Sequence, residues 1–256
     1  MTRWIAREWP VFLLALQFLT RLPLPADVGY TPARMAATPR WHPGAGIVIG
    51  TIVGLVFWVA AAIWPPVVAA IVSTAAGLML TGAFHEDGFA DACDGLGGGA
   101  TRERALEIMR DSRLGTYGTA GLVMVLAGKI AALGSLPVAA VPLALVAGHA
   151  ASRASSVVVL ATSAYVRDHG TGKPVSEGIP PEDLLFALVT GVLAVLPLGF
   201  VMSFMAILCG ALGLAAGHLV MRRQFERRLG GYTGDCLGAV QQLGEVGFYL
   251  GLLAWL

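Results

Sequence analysis

The chain has 256 residues, of which 56% are hydrophobic and only 13% charged, and its mean hydropathy is +0.73. Soluble domains carry roughly 25% charged residues, so this composition excludes an ordinary soluble domain and describes an integral membrane protein. A formal net charge of +1 supplies no electrostatic basis for nucleic-acid binding, and Cys93, Cys209 and Cys236 form neither a zinc spacing nor a disulfide framework.

The first residues, MTRWIAREWPVFLLALQFLTRLPLP, begin basic and run into a short apolar stretch without a small-residue cleavage site, so they read as retained. Residues 11–20 are too few to cross a bilayer, which takes about 20. Residues 1–42 are therefore expected to be an interfacial or re-entrant segment, ended by the LPLP prolines. No residue in 43–84 is charged, enough for two spans near 45–64 and 67–84, divided at Pro65-Pro66. The acidic stretch 85–115 then reads as a polar catalytic loop. GLGGG at 95–99 breaks one helix there, and Thr101 is the N-cap of the next. Further spans are expected at 116–136, which contains Lys129, and at 138–165, which contains His149 and Arg153. RDHGTGKPVSEGIPPED is a loop by its glycines and prolines. Spans follow at 184–202 and 206–221, then a second polar site loop at 222–245. A last helix over 236–256 carries Gln241, Gln242 and Glu245 in its first half.

Lysine and arginine cluster before the first span and in every second loop after it, while the intervening turns have none. The positive-inside rule puts all charged loops in the cytoplasm. The expectation is an all-α, polytopic helical bundle of about 6–8 transmembrane helices, one membrane domain over 1–256, with its site at the cytoplasmic face.

Residues 81–118 hold seven of the sixteen acidic residues: Glu86, Asp87, Asp91, Asp94, Glu103, Glu107 and Asp111. Asp87, Asp91 and Asp94 stand at i, i+4 and i+7, which puts three carboxylates on one helical face. Their mutual repulsion asks for a cation, and Mg²⁺ with a phosphate-bearing substrate is the economical choice over a merely solvated acidic loop. Glu103 and Glu107 lie on an ordinary charged amphipathic helix, whereas Asp111 is placed to complete a metal shell. Arg110 and Arg113 suit a diphosphate, although positive-inside bias explains them equally. His85 is a base, a phosphate contact or a helix-end residue; His42, His149, His169 and His218 read as structural.

Lys129, Arg153 and Glu245 are costly in hydrocarbon, so they should face the bundle interior or a wet cavity. Lys129 either snorkels or pairs. Arg153, set among small residues in AASRASS, either reaches a phosphate or pairs with Glu245 or an aspartate. In GGYTGDCLGAVQQLGE, Gly230 and Gly231 allow close backbone approach and Asp235 suits a helix N-cap. Gln241, Gln242 and Glu245 need another explanation, such as a hydrogen-bonding wall facing a cavity.

FLTRLPLP at 18–25, HEDGFADACDGLGGG at 85–99, RERALEIMRDSRLGTYG at 102–118 and GGYTGDCLGAVQQLGE at 230–245 together closely resemble the cobalamin synthase family, the adenosylcobinamide-GDP ribazoletransferases, over nearly the whole chain. The family's H-x-D-G-x-x-D-x-x-D-G pattern falls on His85, Asp87, Gly88, Asp91, Asp94 and Gly95. This resemblance implies a multi-pass bacterial inner-membrane enzyme, Mg²⁺-dependent, that joins adenosylcobinamide-GDP to α-ribazole or its 5′-phosphate and releases GMP. It implies that Asp87, Asp91 and Asp94 hold metal, with Glu86 as an accessory charge. Asp111 would be a further ligand or general base, and Asp235 would orient the nucleophile or close the metal shell. Arg110, Arg113 and Arg153 would contact the diphosphate. Assembly as a homo-oligomer, or with other corrinoid-pathway enzymes, is compatible with it. A membrane phosphoalcohol transferase or prenyltransferase is the nearest rival, but DGxxAR and a second aspartate-rich motif are both missing. A cation-coupled transporter fits less well, because the acids lie at a membrane edge without an inverted repeat.

Overall fold

The computed structural model describes residues 2–25, 27–167 and 178–256, without the side chains of residues 2 and 3. His169 lies outside these residues. The described chain is helical: α1 (Thr2–Leu19), α2 (Pro32–Ala36), α3 (His42–Ala61), α4 (Pro66–Thr81), α5 (Phe84–Gly98), α6 (Arg102–Ile108), α7 (Thr116–Ser135), α8 (Val141–Thr162), α9 (Pro181–Val195), α10 (Phe204–Leu229) and α11 (Gly234–Ala254). Among the described residues the only β-structure is an isolated parallel bridge between Tyr165 and Tyr232.

Five stretches are long and apolar enough to cross a membrane: Thr38–Ala61, Thr116–Ser135, Val141–Thr162, Pro181–Phe200 and Phe204–Leu229. Counting α4 with α5 as one broken span makes six. The expected helix over 236–256 forms as α11 but is not among these five, because Asp235, Gln241, Gln242 and Glu245 make its first half polar. It is instead the shared neighbour of α5, α7, α8 and α10.

The acidic stretch is a helix, not the expected loop. The chain breaks before it, where Gly82 (φ 65°) and Ala83 (φ 57°) are both left-handed and α5 turns 90° from α4. Glycines 95, 97 and 98 remain helical despite their low propensity, because α6 packs onto Gly95 and Gly98 and Tyr117 of α7 onto Gly97. A Cβ on Gly95 would lie 2.8 Å from the Ala105 carbonyl oxygen. Thr101 caps α6 as expected, its hydroxyl accepting from the Arg104 amide at 3.2 Å.

Close helix packing elsewhere also follows from missing side chains. Gly46, Gly50 and Gly54 recur every four residues and turn one face of α3 onto α8. A Cβ at Gly50 would sit 2.6 Å from Val146 Cα. Small-xxx-small stripes of this kind bring membrane helices together where lipid offers no hydrophobic driving force.

Inside this apolar bundle lies a polar core. Lys129 Nζ meets Glu245 Oε1 at 3.0 Å, with Glu245 wholly buried. Glu245 also accepts from Gln241 Nε2 at 2.6 Å and from the Tyr249 hydroxyl at 3.1 Å, and its Oε2 lies 3.3 Å from His149 Nδ1. Gln242 links onward, its Nε2 donating to Gln241 Oε1 at 2.7 Å and to Glu86 Oε1 at 2.9 Å. Lys129 therefore pairs rather than snorkels. Glu245→Gln leaves a buried ammonium without its counter-charge and should destabilise the protein by about 3–5 kcal/mol. Adding Lys129→Met to that variant should restore most of the loss, measured as unfolding midpoints in detergent.

Candidate active site

The site sits where α5, α11 and the chain after α8 converge. Two glycines set the distance between α5 and α11. A Cβ on Gly88 would lie 3.0 Å from Asp235 Cα, and one on Gly238 would lie 2.8 Å from the His85 carbonyl oxygen. Backbones can approach this closely only without those side chains. The approach carries Asp87 and Asp235 to one cavity of about 130 Å³, shared with His42, His85 and Arg153.

The N-cap of α11 is Thr233 rather than Asp235: its hydroxyl accepts from the Cys236 amide at 3.4 Å. Asp235 stands two residues later, so its carboxylate is available to other partners, and Arg167 Nη2 meets Oδ2 at 2.7 Å. Arg167 gets there because the strand-like pairing of Tyr165 with Tyr232 ties the chain after α8 to the GGYTGD loop. Val166 N donates to Tyr232 O at 3.0 Å, and Tyr232 N to Ala164 O at 2.8 Å. The same Arg167 donates to the Met109 carbonyl at 3.3 Å, while Arg102 donates to Leu229 O and Arg228 to Leu96 O. The charged loops expected on one side of the membrane are thus gathered at one end of the bundle.

Asp91 completes a group of three carboxylates. Burial first, then the nearby Asp235 and Asp87, push its carboxyl up to about 7, against the opposing pull of Arg167. Such mutual repulsion beside a cavity is the electrostatic signature of a place for a cation. Among the described residues no three His, Cys, Asp or Glu side chains converge as a preformed metal shell. A hard divalent ion that keeps its waters does not need one, since one or two carboxylates and substrate oxygens suffice.

A family model described as cobalamin-5-phosphate synthase matches residues 11–253. The chain belongs to this family. Relatives named adenosylcobinamide-GDP ribazoletransferase include those of Leptothrix cholodnii, 48% identical over 98% of this chain and 97% of its own, and Ralstonia pickettii, 40% identical over 98% of both. That of Vibrio parahaemolyticus is 41% identical over 97% of this chain and 93% of its own. No solved structure matches the chain.

The geometry divides the residues of the synthase motif. Asp87 and Asp235 line the cavity, and Asp91 lies near both of them outside its lining. Asp94 turns elsewhere: Oδ2 accepts from Gly115 N at 2.7 Å and Oδ1 from Gly118 N at 2.8 Å, so it caps α7 from across the helix pair. Glu86 points into the polar core, bonded to Gln242, with Oε2 unpartnered among the described residues. His85 is buried and lines both the site cavity and a smaller one deeper in the bundle. Asp111 and Arg113 pair with each other on an exposed loop, at 2.5 Å, and that pairing holds the Asp111 carboxyl down at about 2. Arg110 is exposed, close enough to Tyr165 for its charge to be felt there. Gln241, Gln242 and Glu245 belong to the polar core; Gln242 also lines the smaller, deeper cavity, while Gln241 and Glu245 line neither. Arg167 escapes the sequence reading because it sits at a loop edge without any motif, and His42 reads there as structural with His149, His169 and His218.

Asp94 and Asp91 should therefore respond differently to neutralisation. Asp94→Asn strips the charge from the first turn of α7 and should cost about 1 kcal/mol. Asp91 is held above its ordinary value, so in EDTA its contribution to stability is fully present below about pH 4 and lost as pH rises through about 7. Asp91→Asn should remove that slope. Melting curves of the three proteins between these values check both statements.

Proposed function

We propose that this protein transfers the cobinamide phosphate of adenosylcobinamide-GDP to α-ribazole or α-ribazole 5′-phosphate, releasing GMP, in the last steps of cobalamin synthesis. The observation that carries the proposal is the near full-length match to relatives of that name, joined to a carboxylate group that faces a cavity. In the transfer a ribose hydroxyl oxygen forms a bond to the phosphorus on the cobinamide side. The bond from that phosphorus to the bridging oxygen breaks, and GMP departs with the bridging oxygen.

Asp87 and Asp91, one helical turn apart on α5, are the residues that would hold Mg²⁺. The ion supplies neutralisation of the diphosphate and of the charge that builds on the leaving phosphate. Asp235, oriented by Arg167 and Thr233, takes the proton of the attacking hydroxyl. Ionised, it is an acceptor within a site that has already excluded much of the water, where proton transfer by a fixed group is worth roughly 10²–10⁴ in rate. Arg167 keeps that carboxylate aimed and ties it to the loop behind α6. The apolar helices hold the protein in the bacterial inner membrane, with the charged end of the bundle toward the cytoplasm, where nucleotide substrates are made.

GMP release by detergent-purified protein given adenosylcobinamide-GDP and α-ribazole 5′-phosphate tests the proposal, run with Mg²⁺ and with EDTA. Metal-dependent GMP formation is expected, matched mole for mole by the complete corrinoid. Asp91→Asn should abolish it in protein that still melts cooperatively, whereas Asp111→Asn should retain most of it. No product from folded wild-type protein would overturn the assignment.

A further inference from the structure

The cavity of the candidate site has an inner end that the transfer described above leaves unused. Arg153 and His85 line it and also line the smaller cavity deeper in the bundle, which Asp87 and Asp235 do not reach. Arg153 is 2% exposed and His42, on the same wall, 7%. A buried guanidinium needs an anion, and among the described residues this one has no carboxylate within ion-pair distance; of the two nearest, Glu245 is paired with Lys129, and Glu86, on the wall of the smaller cavity, is bonded to Gln242.

The polar contacts of Arg153 are instructive. Both described hydrogen bonds leave Nη1, one to the His149 carbonyl at 3.0 Å and one meeting the His149 ring Nδ1 at 3.1 Å. Nε is buried without a partner among the described residues, and so is Nε2 of His42. The Nε–Nη2 edge is the side of a guanidinium that grips two oxygens of a phosphate at once. A neutral histidine protonated on Nε2 adds a third donor. The cavity, at about 130 Å³, has room for more than a single water.

We propose that this inner end is a phosphate subsite: the Nε–Nη2 edge of Arg153 takes two phosphate oxygens and His42 Nε2 donates to a third. It holds its phosphate through protein donors alone, apart from the carboxylates at Asp87, Asp91 and Asp235. The inference rests on the proposed transfer, which brings two sources of such a group, the diphosphate of the donor and the 5′-phosphate of the acceptor.

Binding measured without turnover tests it. Dissociation constants of α-ribazole 5′-phosphate, α-ribazole and adenosylcobinamide-GDP are determined by calorimetry on detergent-purified protein in EDTA, for wild type, Arg153→Lys and His42→Phe. Lysine keeps the charge but loses the fork; phenylalanine keeps a ring but loses the donor and does not touch the His149 contacts. If the acceptor phosphate sits here, α-ribazole 5′-phosphate binds wild type at least tenfold more tightly than α-ribazole, and either variant erases the difference. If the donor diphosphate sits here, the two acceptors bind alike and the variants weaken adenosylcobinamide-GDP about tenfold instead. Unchanged affinities for all three ligands in folded His42→Phe, whether or not Arg153→Lys folds, would overturn the subsite. Since no product is measured, a failure to release GMP would overturn the transfer and leave these comparisons standing.

Discussion

The structure depends on one costly act, the burial of an ion pair in the middle of an apolar helix bundle. Glu245 is fully enclosed, and the ammonium of Lys129, the amide of Gln241 and the hydroxyl of Tyr249 make that tolerable. Each of these partners comes at a fixed place on α7 or α11, so the pair sets the rotation of both helices together. A slip of one residue along α11 would swing Glu245 away by 100° and leave two charges in hydrocarbon. Everything α11 carries at its polar end, Asp235 included, inherits that register.

Glycine does the complementary work at the other end of α11. The polar core orients the helix, and Gly238 with Gly88 lets α5 lie against it at backbone distance. Two carboxylates from one helix and a third from another are thereby brought within reach of one another, against their own repulsion. The energy that holds them comes from packing elsewhere, in the α3–α8 stripe, the α10–α11 contact and the capping of α7 by Asp94. A cation held among these carboxylates would relieve that stored repulsion, which is why the proposed site is assigned to them.

The motif that reads most evenly in one dimension is used unevenly in three. Asp87, Asp91 and Asp94 repeat at helical spacing, yet Asp94 spends both oxygens on the amides of Gly115 and Gly118. Glu86, adjacent to Asp87, turns about 100° around α5 and belongs to the polar core. Asp111 stays on the surface with Arg113. Arg167 reaches Asp235 across sixty-eight positions of sequence, through a two-residue β-bridge that no periodicity announces.

By itself the sequence determined the membrane class, most helix positions, the family, and the concentration of charge at one end of the bundle. These depend on composition, on runs of apolar residues and on local spacing, quantities that exist before the chain folds. Only the tertiary structure decided that the helix of the acidic stretch runs on through Gly95, Gly97 and Gly98, that Thr233 rather than Asp235 caps α11, and which carboxylates meet. Those outcomes turn on packing between segments far apart in the chain: α6 on the glycines of α5, α5 on Gly238, and Tyr165 on Tyr232. A side chain's partner is set by where two backbones come to rest, and a backbone's resting place is a property of the whole bundle.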